Sequence, residues 1–119
     1  MNAQTITTLQ KTHIAVWNEK DRTKRDALIQ TIYAGDIKMY DKDFILTGPA
    51  AISDFIDKLF AGDPGFYFSF AKPMEAVQNG IRMFWNISTG GQHLTGMDLF
   101  ILEDDKVAQL YVFMDAQPA

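Results

Sequence analysis

From Phe66 onward apolar residues recur at every second position, and the runs are cut by turn chemistry at Asn79-Gly80, Thr89-Gly90-Gly91 and Glu103-Asp104-Asp105-Lys106. A period of two is the mark of strands, whose side chains point to opposite faces in turn. Turns this short join only antiparallel neighbours. The pattern predicts four long strands near 66–77, 81–88, 92–103 and 107–115, folded as a meander.

The first half carries a different period. Ile6, Leu9, His13, Val16 and Trp17 are spaced by threes and fours and predict a helix over about 4–19. A second helix has Asp21 as N-cap, buries Leu28, Ile29, Ile32 and Tyr33, and stops at Gly35. Asp36 to Asp41 reads as a short strand with Ile37, Met39 and Asp41 on one face. Gly48-Pro49 opens a third helix with a stripe of Ile52, Phe55, Ile56, Leu59 and Phe60, ended by Gly62-Asp63-Pro64-Gly65. This order describes an α+β domain, three N-terminal helices packed on one face of a curved, mainly antiparallel sheet. The length of 119 residues suits a single domain, 1–119.

Several strands are apolar on both faces. Ile81, Met83, Trp85 and Ile87 oppose Arg82, Phe84, Asn86 and Ser88, while Val107, Gln109, Tyr111 and Phe113 oppose Ala108, Leu110, Val112 and Met114. Helices can cover one side only, so the outer face is expected to meet a second copy as a homodimer. A net charge of −4, with basic residues scattered apart from Arg22, Lys24 and Arg25, disfavours a nucleic-acid or anionic-membrane partner. The absence of cysteine excludes disulfides and thiolate chemistry and is compatible with a reducing compartment. With no leader-like or membrane-spanning segment in view, the expected address is cytoplasmic.

One residue breaks the strand pattern chemically. Asp98 sits within Gly96-Met97-Asp98-Leu99-Phe100-Ile101-Leu102 and shares a face with Leu94, Phe100 and Leu102. A carboxylate there must be paired, hydrogen-bonded or held neutral, which is also what proton-transfer chemistry requires. If Thr89 and Gln92 close the hairpin, Asp98 lies opposite Met83, with Ile81 and Trp85 diagonal. A slip of one residue would set it opposite Arg82 and make the acid structural. Satisfaction by Trp17 or by backbone donors is a further structural reading.

His13 lies one turn before Trp17 and reads either as a satisfied core histidine or as a proton shuttle. Asp41, before Lys42-Asp43, reads as a pocket acid or a turn residue. Trp17 is a core or pocket-wall residue whose N–H needs a partner. Two histidines without a zinc-binding spacing offer no metal site. No glycine pattern matches a phosphate loop or dinucleotide fingerprint, and no cofactor is expected.

The element order, together with Trp17-Asn18-Glu19, Tyr33-Ala34-Gly35-Asp36, Arg82-Met83-Phe84-Trp85 and Gly96-Met97-Asp98, resembles the SnoaL-like branch of the nuclear transport factor 2-like superfamily. The resemblance implies a cone, a strongly bent sheet around a deep apolar pocket, often dimeric through the sheet. Its members include ketosteroid isomerases, polyketide cyclases, epoxide hydrolases, dehydratases and pure binding proteins. Aligned with ketosteroid isomerases, Asp41 takes the place of the base and Asp98 that of the oxyanion-hole acid. The two family tyrosines fall on Trp17 and Ile56, and the epoxide-hydrolase triad is incomplete because Arg82 is followed by Phe84.

Two functions are therefore expected as alternatives. One is a cofactor-independent isomerase, cyclase or dehydratase-like enzyme acting on a small apolar carbonyl compound. In it, Asp41 moves a proton, Asp98 donates to the oxyanion and Trp17 positions the substrate. His13, Tyr33, Phe55, Met83, Trp85, Phe100, Leu110 and Met114 would form the binding surface. The other is a noncatalytic module that binds an apolar ligand or dimerises with the same fold.

Overall fold

The computed structural model describes residues 2–115, and residues 1 and 116–119 lie outside the described residues. Helix α1 (Ala3–Asn18) begins at Asn2, whose side chain accepts from the Thr5 amide at 2.8 Å. Helix α2 (Arg22–Ile32) begins at Asp21, which accepts from the Lys24 amide at 3.0 Å. Such caps satisfy N–H groups that the first turn leaves free. The expected stop at Gly35 is overtaken. The chain turns extended at Tyr33, which pairs with Val107, so Tyr33 opens strand β1 (Tyr33–Tyr40) instead of closing a helix.

A short β2 (Ile45–Thr47), which the sequence pattern does not reveal, pairs with β1 and leads through Gly48 into α3 (Pro49–Gly62). The strand expected over 66–77 is two strands, β3 (Tyr67–Phe70) and β4 (Glu75–Val77), both paired with β5 (Gly80–Thr89). Pro73, which has no N–H to give a ladder, lies in the break. Strands β6 (Gln92–Glu103) and β7 (Lys106–Met114) complete a seven-stranded sheet in the order β2-β1-β7-β6-β5-β3, with β4 also on β5. Among the described residues only the β1–β7 pair is parallel.

Two turns set the register that matters for function. Gly90 and Gly91 both have positive φ, the requirement of a two-residue hairpin loop, and Thr89 pairs with Gln92. Met83 therefore faces Asp98 and Arg82 faces Leu99, and the slipped register is excluded. Arg82 lies on the outer face, where it donates to Glu75 at 3.0 Å. The preceding turn sits at Gln78-Asn79 rather than Asn79-Gly80, because Gly80 pairs with Val77 and Asn79 exchanges hydrogen bonds with the Leu102 backbone.

Strand β7 departs from simple alternation. Leu102 pairs with Val107 but Ile101 pairs with Gln109, so Ala108 is a bulge. The extra residue returns Val107 to the face of Leu110, and both are fully buried. The inner face of the sheet thus presents Ile81, Met83, Trp85, Phe100, Leu102, Val107 and Leu110 to the helices.

The two arginines of the short basic cluster are paired within the fold. Arg25 is fully buried and donates to Asp57 at 2.7 Å and to the backbone and hydroxyl of Ser53, while Arg22 meets Asp26, Asp54 and Asp57. The pairs with Asp54 and Asp57 join α2 to α3. Among the described residues no helix is long and apolar enough to cross a membrane, and no group of three or more acids or histidines could hold a metal ion.

Candidate functional site

The inner face of the sheet is divided. Toward one end its residues are sealed under the helices. Toward the Gly90-Gly91 turn and the end of β7 they line a cavity of about 170 Å³. On β5 the division falls between Met83 and Trp85, on β6 between Phe100 and Asp98, and on β7 between Leu110 and Val112. Asp98 is thus the innermost β6 residue of the cavity wall, 4% exposed.

Both carboxylate oxygens of Asp98 are occupied. Oδ1 accepts from the Trp85 indole N–H at 2.9 Å, and Oδ2 lies 3.0 Å from Nε2 of His13. Trp85 reaches Asp98 diagonally because its cross-strand partner is Gly96. The indole lies over that glycine, and a Cβ there would collide with the Trp85 ring and the Phe113 carbonyl. Gly96 is therefore the local sequence choice that lets the tryptophan serve the acid.

His13 comes from the opposite layer. The stripe of α1 sets it one turn before Trp17, facing the sheet, and it is fully buried. Phe100 and Phe68 meet its ring edge-on at 4.7 and 5.7 Å. Its Nδ1 lies 2.6 Å from the Tyr33 hydroxyl oxygen, which also accepts from the Trp17 indole N–H at 3.1 Å. These partners assign the protons. The Trp17 N–H can only donate, so the Tyr33 hydroxyl proton has His13 Nδ1 as its sole acceptor among the described residues. Nδ1 is then unprotonated, and His13 is the neutral tautomer whose Nε2–H donates to Asp98. The chain Trp17, Tyr33, His13, Asp98, Trp85 leaves no buried side-chain polar atom without a partner. Burial pushes the Tyr33 phenol well above the usual tyrosine range; the Trp17 bond opposes this and the Asp98 charge adds to it.

The arrangement makes Asp98 an acceptor on both oxygens, the role of an ionised carboxylate. Each carboxylate oxygen keeps a lone-pair direction beyond the N–H it already receives. Asp98 can accordingly take a proton or a hydrogen bond from a molecule in the cavity.

Of the residues singled out from sequence, Trp17, Asp41, Phe55, Trp85, Asp98 and Met114 line the cavity. Asp41 is half-buried at the loop between β1 and β2, where its amide donates to the Phe44 carbonyl at 2.9 Å and its carboxylate accepts from the Asp43 amide at 3.3 Å. It is a turn residue and a cavity residue at once. His13 and Tyr33 stand behind Asp98 and Trp17, outside the lining. Met83, Phe100 and Leu110 are sealed in the core on the far side of the division. The lining also includes Met39, Leu59, Phe66, Phe68, Ile87, Thr89, Leu94 and Val112, which the sequence reading does not single out. For Ile87, Leu94 and Val112 the signal was present, since they share strand phase with Trp85, Asp98 and Met114.

No protein-family model matches the chain, and no curated protein matches it. The structure is similar to a provisionally assigned SnoaL-like isomerase from Agrobacterium tumefaciens str. C58, with a TM-score of 0.84 and 23% identity over 95% of this chain and 99% of the other. It is also similar to a provisionally assigned ketosteroid isomerase from Kribbella flavida DSM 17836 (TM-score 0.77, 15% identity, 98% and 81% covered). A third likeness is to a provisionally assigned SnoaL-like polyketide cyclase from Jannaschia sp. CCS1 (0.72, 14%, 97% and 90%). At these identities the likeness establishes the fold, the α+β cone of SnoaL-like and nuclear transport factor 2-like proteins, and leaves the reaction to be argued from the site.

Proposed function

We propose that this chain is a cofactor-independent enzyme that moves a proton on a small, largely apolar carbonyl compound, with Asp98 as the general base. The observation that carries this is a buried carboxylate in a cavity wall, held by two N–H donors that leave each oxygen a further lone pair. Asp98 takes a proton from carbon, becoming the neutral acid, and the electron pair passes into the substrate. Returning that proton at another carbon completes an isomerisation; handing it instead to a β-hydroxyl, whose C–O bond breaks as it leaves as water, completes a dehydration, and either step restores the carboxylate. Trp17 walls the substrate in, and Asp41 at the rim exchanges the proton with solvent. The role expected from the resemblance, Asp98 as donor to an oxyanion, is replaced in this proposal, because both oxygens act as acceptors.

A screen of single-ring ketones and terpenoid and polyketide fragments by thermal shift finds compounds that bind, and proton NMR in deuterium oxide reads whether they exchange. Exchange that disappears in Asp98→Asn supports the proposal; exchange that persists there refutes it.

One observation favours the alternative of a noncatalytic binding module. Among the described residues the side-chain N–H and O–H donors of the lining are committed: the Trp17 and Trp85 N–H groups to Tyr33 and Asp98, and the Thr89 hydroxyl to Asp63. A bound compound returned unchanged at every pH would decide for that reading.

We also propose that the outer sheet face meets a second copy of the chain. Phe84 pairs with Met97, Met97 with Phe113, and Leu99 with Tyr111, which gathers large apolar side chains on the side away from the helices. Phe113 is 52% exposed in the single chain. Packing this face against its own copy would bury it.

A further inference from the structure

We infer that the molecule seated in this cavity carries a positively charged nitrogen. The inference concerns what binds, and it stands whether or not Asp98 performs chemistry.

The charge inventory is one-sided. Among the described residues two acids, Asp41 and Asp98, line the cavity, and no lysine, arginine or histidine does. Asp98 is buried, and its partners are the neutral Trp85 indole and the neutral tautomer of His13 that Tyr33 and Trp17 impose. Arg82, one position from Met83 on the neighbouring strand, faces the other way and pairs with Glu75. Lys42 belongs to the adjoining surface cleft beyond Asp41. A carboxylate taken out of water without a counter-cation is costly, and a ligand that brings the cation relieves that cost.

The walls suit the same partner. Trp17, Phe55, Phe68 and Trp85 form a continuous aromatic surface, with ring centroids 6.1 Å apart for Trp17–Phe55, 6.3 Å for Trp17–Phe68 and 6.0 Å for Phe68–Trp85. Both indole N–H groups are used inside the protein, which leaves the rings themselves to meet a ligand. Ring faces attract cations, most strongly where water is excluded. An uncharged hydroxyl or carbonyl group gains no comparable attraction from the carboxylates and ring faces.

Size narrows the class. A cavity of about 170 Å³ is close to the ~150 Å³ that admits a benzene molecule in an engineered apolar core. The fitting ligands are small: a trialkylammonium, a protonated cyclic amine or a cyclic iminium. If the base chemistry proposed above also holds, a cyclic iminium is the member of this class that could undergo it, since its C=N+ bond takes up the electron pair as an enamine without an oxyanion donor.

Three compounds on one ring separate these possibilities: cyclohexylammonium, cyclohexanol and cyclohexanone, titrated calorimetrically into the full chain at neutral pH. The cation is expected to bind at least about tenfold more tightly than either neutral ring, and the preference is expected to vanish in Asp98→Asn. The wild-type ratio is decisive without any variant. Cyclohexanone or cyclohexanol binding as tightly as the cation overturns the inference, and so does failure of all three to bind. Deuterium exchange on bound cyclohexanone, read in the same samples, keeps the two proposals apart. A ketone that binds best and exchanges sinks the cation and sustains proton transfer. A cation that binds best, with no exchange on any compound, does the reverse.

Discussion

His13 and Asp98, 85 residues apart in sequence, meet at 3.0 Å inside the protein, both almost wholly buried. That contact ties helix α1 to strand β6 and orients the one carboxylate at the boundary between core and cavity. Behind it Tyr33 and Trp17 fix the histidine tautomer, and beside it Trp85 occupies the second oxygen. The acid is therefore held in place by protein side chains, at the wall of the cavity.

The network should behave as a unit. His13→Leu deprives the Tyr33 hydroxyl of its acceptor and Asp98 of a donor, and is expected to cost about 2–5 kcal/mol in denaturant unfolding. Adding Tyr33→Phe removes the stranded hydroxyl but also takes the acceptor from the Trp17 N–H, so the double variant should lose less than the sum of the two single losses. Strict additivity of the two losses would show that the side chains are not coupled.

Tyr33 gives a pH dependence with a definite sign. Its phenol is raised above the ordinary value of 10.0 chiefly by burial. A group raised in the folded state contributes stability that is fully present below the unfolded value and is lost as pH climbs above it. Thermal stability should therefore fall above about pH 10, and Tyr33→Phe should flatten that alkaline decline. An unchanged alkaline slope in the variant would show that another group is responsible.

Gly96→Ala tests the glycine on which the Trp85 indole lies. The added carbon would meet the Trp85 ring and the Phe113 carbonyl, so the indole must move away from Asp98. A loss of more than about 3 kcal/mol, with a changed tryptophan fluorescence spectrum, is expected. A variant of wild-type stability and spectrum would mean the contact is not as close as described.

These sites differ in how far they can be read from sequence. The meander, the three helices and the pairing of Met83 with Asp98 follow from period and from the Gly90-Gly91 turn, because those are local properties. The bulge at Ala108 was not legible, since it arises from how β7 must bend to match its neighbour, whereas the break between β3 and β4 had a local signal in Pro73 that the period-two pattern of the flanking residues masked. The acid in the apolar strand pointed to the site. Its partners did not follow from the sequence, because His13 comes from α1 and its tautomer from Tyr33, on β1, so both depend on how the layers pack. Where the cavity ends and the core begins was likewise hidden: Met83 and Trp85 have the same phase and fall on opposite sides of the division.

The proposed pairing of two copies predicts a dimer in sedimentation velocity at micromolar concentration. Met97→Glu, in the middle of the outer face, should yield a folded monomer, since a charge there opposes burial of the Phe84 and Phe113 side chains that flank it. A wild-type chain that sediments as a monomer contradicts the pairing.

The central claim is that Asp98 is the group that takes a proton from the bound molecule. Its most direct test is the rate of deuterium incorporation into a compound shown to bind, compared between the wild-type chain and Asp98→Asn, with Asp41→Asn alongside. The account predicts a loss of at least about a hundredfold in Asp98→Asn, with the compound still bound and a smaller loss in Asp41→Asn. Equal incorporation by wild type and Asp98→Asn, at equal occupancy, would contradict it.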